Sequence, residues 1–143
     1  MGGRFDDPDA EYRVLYASSQ RLGCFLETLA RFRPDIRLIA ELASVDGDDD
    51  FVLPGTVPPE WLEERLIGSA HVKAVCAGIG ASDWLGHLRR ELAEEIVALG
   101  FEDFDAALLQ QSVPRSLTQV VSRFVYRQDL GGLRYLSRYG HDI

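Results

Sequence analysis

The chain has 143 residues, 46% of them apolar and 27% charged, with a formal net charge of −8. This is the size and balance of one ordinary folded domain able to bury a core without staples. The acidity excludes a general nucleic-acid binder, which carries basic patches or a pI above about 9. Cys24 and Cys76 are too few for a disulfide framework, and neither a signal peptide nor an apolar run of about 18 residues is present. The expectation is a soluble cytosolic protein with no internal repeat.

Gly2 to Glu11 is turn-rich, punctuated by its glycines and by Asp6-Asp7-Pro8-Asp9. Tyr12 to Ala17 alternates, with Tyr12, Val14 and Tyr16 on one face, which predicts a strand. Ser18 or Ser19 is placed to cap a following helix. Leu22, Phe25, Leu26, Leu29 and Phe32 form its apolar stripe, Glu27 falls opposite, and Pro34 stops it. Ile36 to Ala43 alternates again and predicts a second strand. Ser44 to Glu60 is a loop, Glu63 to Val72 is ambiguous, and Lys73 to Ile79 fits a short apolar strand.

The clearest helix is Asp83 to Leu99. Ser82 is its expected cap and Gly100 its end, in a position that tolerates left-handed geometry. A short helix is expected around Asp103 to Gln110. Ser116-Leu117-Thr118-Gln119 has the form of a capping box, after which Leu117, Val120, Val121 and Phe124 bury one helical face. Gly131-Gly132 turns the chain into a last strand, Leu133 to Ser137. Mixed strands and directly consecutive helices favour an α+β domain.

Several motifs fail on their own chemistry. Gly78-Ile79-Gly80-Ala81-Ser82-Asp83 places a carboxylate where a dinucleotide fingerprint needs its third glycine, so it reads as a helix-entry turn. Asp46, Asp48 and Asp50 begin like a calcium loop, but Phe51 and Val57 stand where glycine and glutamate belong. Cys24, Cys76, His71, His87 and His141 lack metal-ligand spacing, so no metal is expected. No nucleophile elbow is present. Arg89-Arg90 beside Glu91, Glu94 and Glu95 reads as a solvated helix face.

What remains is an ordered set. Gly2-Gly3-Arg4-Phe5, Val14-Leu15-Tyr16-Ala17, Glu27 eleven residues after the tyrosine, Ser116-Leu117-Thr118-Gln119, and Gly132-Leu133-Arg134-Tyr135-Leu136-Ser137-Arg138 together resemble the RES domain. The arginine, glutamate and serine that name the family map to Arg4, Glu27 and Ser137. The resemblance covers nearly the whole chain, so a single domain over 1–143 is expected. It departs from the family pattern at both ends, where an N-terminal strand and an aromatic-rich C-terminal segment are expected to be cut short.

The resemblance implies an ADP-ribosyltransferase-like central sheet with flanking helices. It implies a bacterial type II toxin that cleaves the nicotinamide–ribose bond of NAD by phosphorolysis or hydrolysis, with inorganic phosphate as a co-substrate. A protein ADP-ribosyltransferase is the alternative within the enzymes, and a silent NAD- or antitoxin-binding module the alternative outside them. The implied partner is an Xre-type helix-turn-helix antitoxin, with the toxin as a homodimer or in a hetero-oligomer with it, and with no direct contact to nucleic acid or membrane. Arg4, Tyr16 and Glu27 are the implied catalytic residues, and Arg4, Tyr16 and Ser137 the implied NAD-binding residues. The chemistry suits them. A guanidinium fork matches pyrophosphate oxygens, a carboxylate stabilises an oxocarbenium-like ribose, and a phenol stacks on a ring or bonds a ribose hydroxyl. Ser137 is suited to donate to phosphate or to the nicotinamide amide. Arg138 alternates away from Ser137 along the strand.

Overall fold

The computed structural model describes residues 3–43, 55–111 and 114–139. In chain order its elements are helices α1 (Arg21–Leu29), α2 (Ile36–Leu42) and α3 (Pro59–Glu63), strand β1 (Cys76–Gly78), helices α4 (Ser82–Glu91), α5 (Ala93–Ala98), α6 (Ala106–Gln110) and α7 (Arg115–Arg127), and strand β2 (Gly132–Arg134). A 3-10 turn, Ala30–Phe32, extends α1 toward Pro34. The sheet among these residues is one parallel pair, with Cys76 opposite Gly132 and Gly78 opposite Arg134. Helices mixed with a small sheet make this an α+β chain. Among the described residues no helix is long and apolar enough to cross a membrane.

The core lies between the β1–β2 pair and helices α4 to α7. Ala77 and Ile79 supply the sheet side, Leu88, Ile96 and Leu109 come from α4, α5 and α6, Leu92 and Phe104 from the junctions between them, and Leu117, Val121 and Val125 from α7. Each of those three α7 residues recurs four positions on, so one stripe faces inward. Burying each contributes roughly 1.5–3 kcal/mol relative to exposure. Phe5 and Tyr135 complete the core from outside the helices.

Three helices differ from the sequence pattern. The stretch from Asp83 to Leu99 is two helices, parted at Leu92 with φ −111° and ψ 17°. The amide bonds from Leu92 to Leu88 and from Ile96 to Leu92, both 2.9 Å, still carry the apolar stripe across the break. Ser82 is the first residue of α4 rather than its cap, which is Ala81. Helix α7 begins at Arg115 after Pro114, so Ser116 lies in the first turn and the capping box does not form. The fixed φ of proline already suits a helix entry. At the end of α5, Gly100 takes φ +86°. Its amide bonds the Val97 carbonyl at 2.9 Å and the Phe101 amide bonds that of Ile96 at 3.2 Å, the paired bonds of a Schellman end.

Two expected strands are not strands. Ile36–Leu42 is a helix, capped by the Asp35 carboxylate accepting from the Arg37 amide at 2.8 Å. Ile36, Ile39 and Leu42 repeat every third residue as well as Ile36, Leu38, Ala40 and Leu42 repeat every second. Pro34-Asp35 is a helix-start signal that decides between them. Tyr12 to Ala17 is extended but belongs to no ladder. Its faces alternate only over the first residues: Tyr12 and Val14 are half-buried and Leu15 is 89% exposed, but Tyr16, expected on the inner face, is 41% exposed. The last strand is shorter than Leu133 to Ser137, but Tyr135 and Ser137 continue its buried face while Arg134, Leu136 and Arg138 point outward. The aspartate run Asp46 to Asp50 lies outside the described residues.

Candidate functional site

The site is built on the loop Gly3 to Asp9, and α7 holds that loop by side chains. Thr118 and Ser122 are four apart and so share a face of the helix. The Ser122 hydroxyl donates to the Phe5 carbonyl at 2.7 Å and accepts from the Tyr12 phenol at 2.9 Å. The Thr118 hydroxyl lies 2.5 Å from the Arg4 carbonyl and 3.0 Å from that of Arg115, one turn back. Both hydroxyls are buried. Next to Ser122 in the chain, Arg123 meets the Asp7 carboxylate at 2.5 Å and also reaches Asp9. Successive carbonyls of the loop are thus matched to hydroxyls one helical turn apart.

Tyr16 holds the same loop from the other side. Its hydroxyl accepts the Phe5 amide proton at 2.8 Å and donates to Asp6 Oδ1 at 3.2 Å. The other Asp6 oxygen accepts from the Gly3 amide. Burial pushes the Tyr16 phenol up to about 12; the Phe5 amide works against this and the Asp6 charge adds to it. The Tyr16 proton therefore stays on at any working pH, and the part of the residue open to a ligand is its ring.

Fixing the Arg4 and Phe5 backbone aims the Arg4 side chain. Its guanidinium carbon lies 5.4 Å from the centroid of the Phe5 ring and 5.4 Å from that of Tyr135. The two rings contact each other at 4.6 Å, tilted by 48°. Arg4 Nη2 donates to the Leu109 carbonyl at the end of α6. Arg4 Nε is buried and has no hydrogen-bond partner.

Glu27 comes from α1, and it lies at the inward face instead of opposite it. The helix turns inward the face of Gly23, Leu26, Glu27 and Ala30, spaced 0, 3, 4 and 7, with Gly23 buried and the others half-buried. Of the expected anchors, Leu22 and Phe25 are 55% and 39% exposed, while Leu26, Leu29 and Phe32 are half-buried. Glu27 Oε1 is buried and has no hydrogen-bond partner. Glu27 and Arg4 form no ion pair with each other, yet both act on one group. The Tyr135 phenol is raised above its ordinary value by burial first, then by the Glu27 carboxylate, and eased by the Arg4 guanidinium.

Ser137 lies two residues beyond Tyr135 on the same buried strand face, and is 1% exposed. Its Oγ accepts the Tyr139 amide at 3.0 Å, so its recorded bond closes a turn rather than reaching Arg4, Tyr16 or Glu27. Arg138 points outward, its guanidinium 4.9 Å from the Tyr139 ring, which Arg33 approaches from α1's end at 4.8 Å. Arg4 therefore packs on Tyr135, Tyr16 holds the loop that carries Arg4, and the Glu27 charge acts on the Tyr135 phenol, with Ser137 two residues further along the strand face. The sequence reading passed over Tyr135, Thr118 and Ser122. The signal for Tyr135 was its alternation with Ser137; for the other two, it was hydroxyls at i, i+4 beside an apolar stripe.

A separate open groove of about 340 Å³ runs between α4–α5 and α7, lined by Glu91, Glu95, Val120, Arg123, Phe124 and Arg127 among others. It touches the supporting loop through Pro8 and Arg123 but includes none of Arg4, Tyr16, Glu27, Tyr135 or Ser137. Among the described residues no three His, Cys, Asp or Glu side chains gather as a metal site.

Comparison with known proteins gives one family, the RES domain, whose model matches residues 1–142. No curated protein and no solved structure is found to match the chain.

Proposed function

The chain belongs to the RES domain family, a family of NAD-acting enzymes of toxin–antitoxin pairs, and from that premise we propose that it cleaves the nicotinamide–ribose bond of NAD. The observation that carries this reading is the Arg4–Tyr135–Glu27 arrangement. Arg4 packs on the Tyr135 ring, the Glu27 charge acts on the same phenol, the two form no ion pair, and each keeps a buried polar atom without a partner. Unpartnered buried polar groups are costly unless a ligand satisfies them.

NAD has the complementary chemistry. Arg4 would meet its pyrophosphate through a charge-assisted bond. The Glu27 carboxylate would face the ribose, whose anomeric carbon becomes cationic as the bond to the pyridinium nitrogen breaks. The bonding pair goes to that nitrogen, and nicotinamide leaves neutral. An oxygen of inorganic phosphate, or of water, then forms the new bond to the anomeric carbon. Fixed charge placed where transition-state charge develops is usually the largest catalytic contribution. The exposed ring of Tyr16 offers a stacking surface at the edge of the cluster, and Ser137 stands further along the same strand face. The ADP-ribosyltransferase-like sheet, the Xre-type antitoxin and the toxin–antitoxin oligomer belong to the same reading, and rest on family membership alone.

Purified protein incubated with NAD and inorganic phosphate should release nicotinamide and form ADP-ribose 1″-phosphate. Glu27→Gln, which keeps the shape and removes the charge, should abolish release while the protein stays folded. Full activity in Glu27→Gln would end the assignment of that carboxylate. NAD labelled in its adenylate part decides the acceptor. A small soluble product means phosphorolysis or hydrolysis, and a labelled protein band means transfer to protein.

A further inference from the structure

We propose that Tyr135 is a positioning residue for Arg4, its ring holding the guanidinium in a fixed place from which it can meet an anionic ligand. The proposal rests on the NAD-cleaving reading for its catalytic consequence, but not for its geometry.

The geometric case has three parts. Tyr135 is 7% exposed and sits immediately beyond β2, whose pairing with β1 fixes the strand from which it projects. Its ring packs on Phe5, and the Arg4 guanidinium carbon is equidistant from both centroids at 5.4 Å. The third restraint on Arg4 is the Leu109 carbonyl, which takes Nη2. Two rings and one carbonyl therefore fix the orientation of a flat cation, and Nε is left buried and unpartnered.

A free arginine near a carboxylate forms a bidentate ion pair. Arg4 does not do so with Glu27. An ion pair between them would occupy both groups and leave neither for pyrophosphate or ribose. The Tyr135 ring has the polarity to hold the guanidinium where it lies, since its face attracts the cation through the ring quadrupole. The hydroxyl, by contrast, contributes no recorded hydrogen bond to Arg4 or Glu27. The effect should therefore follow the ring and not the oxygen.

The test is the NAD reaction of Tyr135→Phe and Tyr135→Leu, read as KM and kcat separately, together with the proton spectrum of Arg4. In the wild type, nuclear Overhauser contacts should join the Arg4 δ protons to the Tyr135 ring. Tyr135→Phe should keep those contacts and a wild-type KM. Tyr135→Leu should raise KM by about tenfold, the scale of a desolvated cation–π contact, with kcat changed far less. A merely structural role would lower the melting temperature without this split and without rescue by phenylalanine. Absence of the contact in the wild type overturns the proposal, and that measurement needs neither a folded leucine variant nor NAD. An unchanged KM in Tyr135→Leu, or a Tyr135→Phe variant as impaired as the leucine one, overturns it too. If the wild type shows the contact but consumes no NAD, the functional reading fails and the positioning of Arg4 stands.

Discussion

Gly3 lies so close beneath Tyr16 that a Cβ at position 3 would come within 2.6 Å of the phenol oxygen. That oxygen is not free to retreat, because it accepts from Phe5 and donates to Asp6. Gly3→Ala should therefore break the Tyr16–Phe5 bond and loosen the loop that aims Arg4, at a cost of about 1–3 kcal/mol by overpacking. Denaturant unfolding of Gly3→Ala, Tyr16→Phe and the double variant measures it. The alanine should cost less in the Tyr16→Phe background. An equal cost in both would mean that the phenol is not what glycine accommodates.

Thr118→Val and Ser122→Ala should each destabilise the fold by about 1–3 kcal/mol, because each strands a buried carbonyl of the Arg4–Phe5 loop. They hold successive peptides, so their effects should couple instead of adding. Both variants should also impair NAD turnover, although neither touches the proposed ligand. Unfolding curves and kinetics on the two singles and the double decide this, and wild-type kinetics in a destabilised double variant would separate the loop from the site.

The parts of the fold legible in the sequence are those governed by local rules. Gly100 was readable as a left-handed helix end because only glycine takes that φ without cost, and the inward faces of α4 and α7 followed from 3.6-residue spacing. The alternation of Tyr12 and Val14, and of Tyr135 and Ser137, was also correct, since a period of two needs only an extended backbone, whereas Tyr16 leaves the expected face and is exposed. A ladder needs a partner strand, which the pattern cannot supply, and Tyr12–Ala17 therefore reads as a strand without being one. Ile36–Leu42 satisfied two periods at once. For α1, Leu22 and Phe25 pulled the expected stripe off the inward face, although Leu26, Leu29 and Phe32 are half-buried. The face of Gly23 and Glu27 turns inward, and a glycine adds almost nothing to an apolar stripe. The cluster itself was legible only as an ordered set of residue types. Its convergence depends on hydroxyls of α7 reaching carbonyls more than 110 residues earlier, and no local rule contains that.

The Arg123–Asp7 contact gives the loop a defined acid limit. Burial works to raise the Asp7 carboxyl, but hydrogen bonds from Arg123 and from the Glu11 amide at 2.6 Å outweigh it, so its pKa lies below the ordinary value of 3.8. A carboxyl lowered in the folded state binds its proton more tightly when unfolded. Its contribution is thus fully present above about pH 4 and is lost as pH falls through the lower, folded value. Asp7→Asn should lower the melting temperature by a constant amount at neutral pH. The two curves should converge only below pH 4. Parallel melting curves down to the acid limit would show that the pair adds no pH-dependent stability.

Tyr16 sets the corresponding alkaline limit. Its phenol is held up at about 12, and a group raised in the folded state stabilises fully below its unfolded value near 10, then loses that contribution as pH rises toward 12. Ultraviolet titration should show one late-ionising phenol fewer in Tyr16→Phe. Ionisation of that phenol below pH 10 would mean that the Asp6–Tyr16–Phe5 network does not hold.

Arginine at position 4 should not be replaceable by lysine. A lysine keeps the charge, but it has no plane to lie against Phe5 and Tyr135 and no second nitrogen to face a ligand while the first bonds the Leu109 carbonyl. If Arg4 serves the pyrophosphate of NAD, Arg4→Ala should raise KM by about 10- to 100-fold, the scale of a charge-assisted bond of roughly 1.5–3 kcal/mol. Arg4→Lys should recover little of it. Glu27→Gln should instead act on kcat, because ribose cation develops only as the bond breaks. Steady-state kinetics on the three variants separates binding from bond cleavage. A lysine variant with wild-type KM would show that position 4 supplies charge alone, and the ring clamp would then have no bearing on NAD.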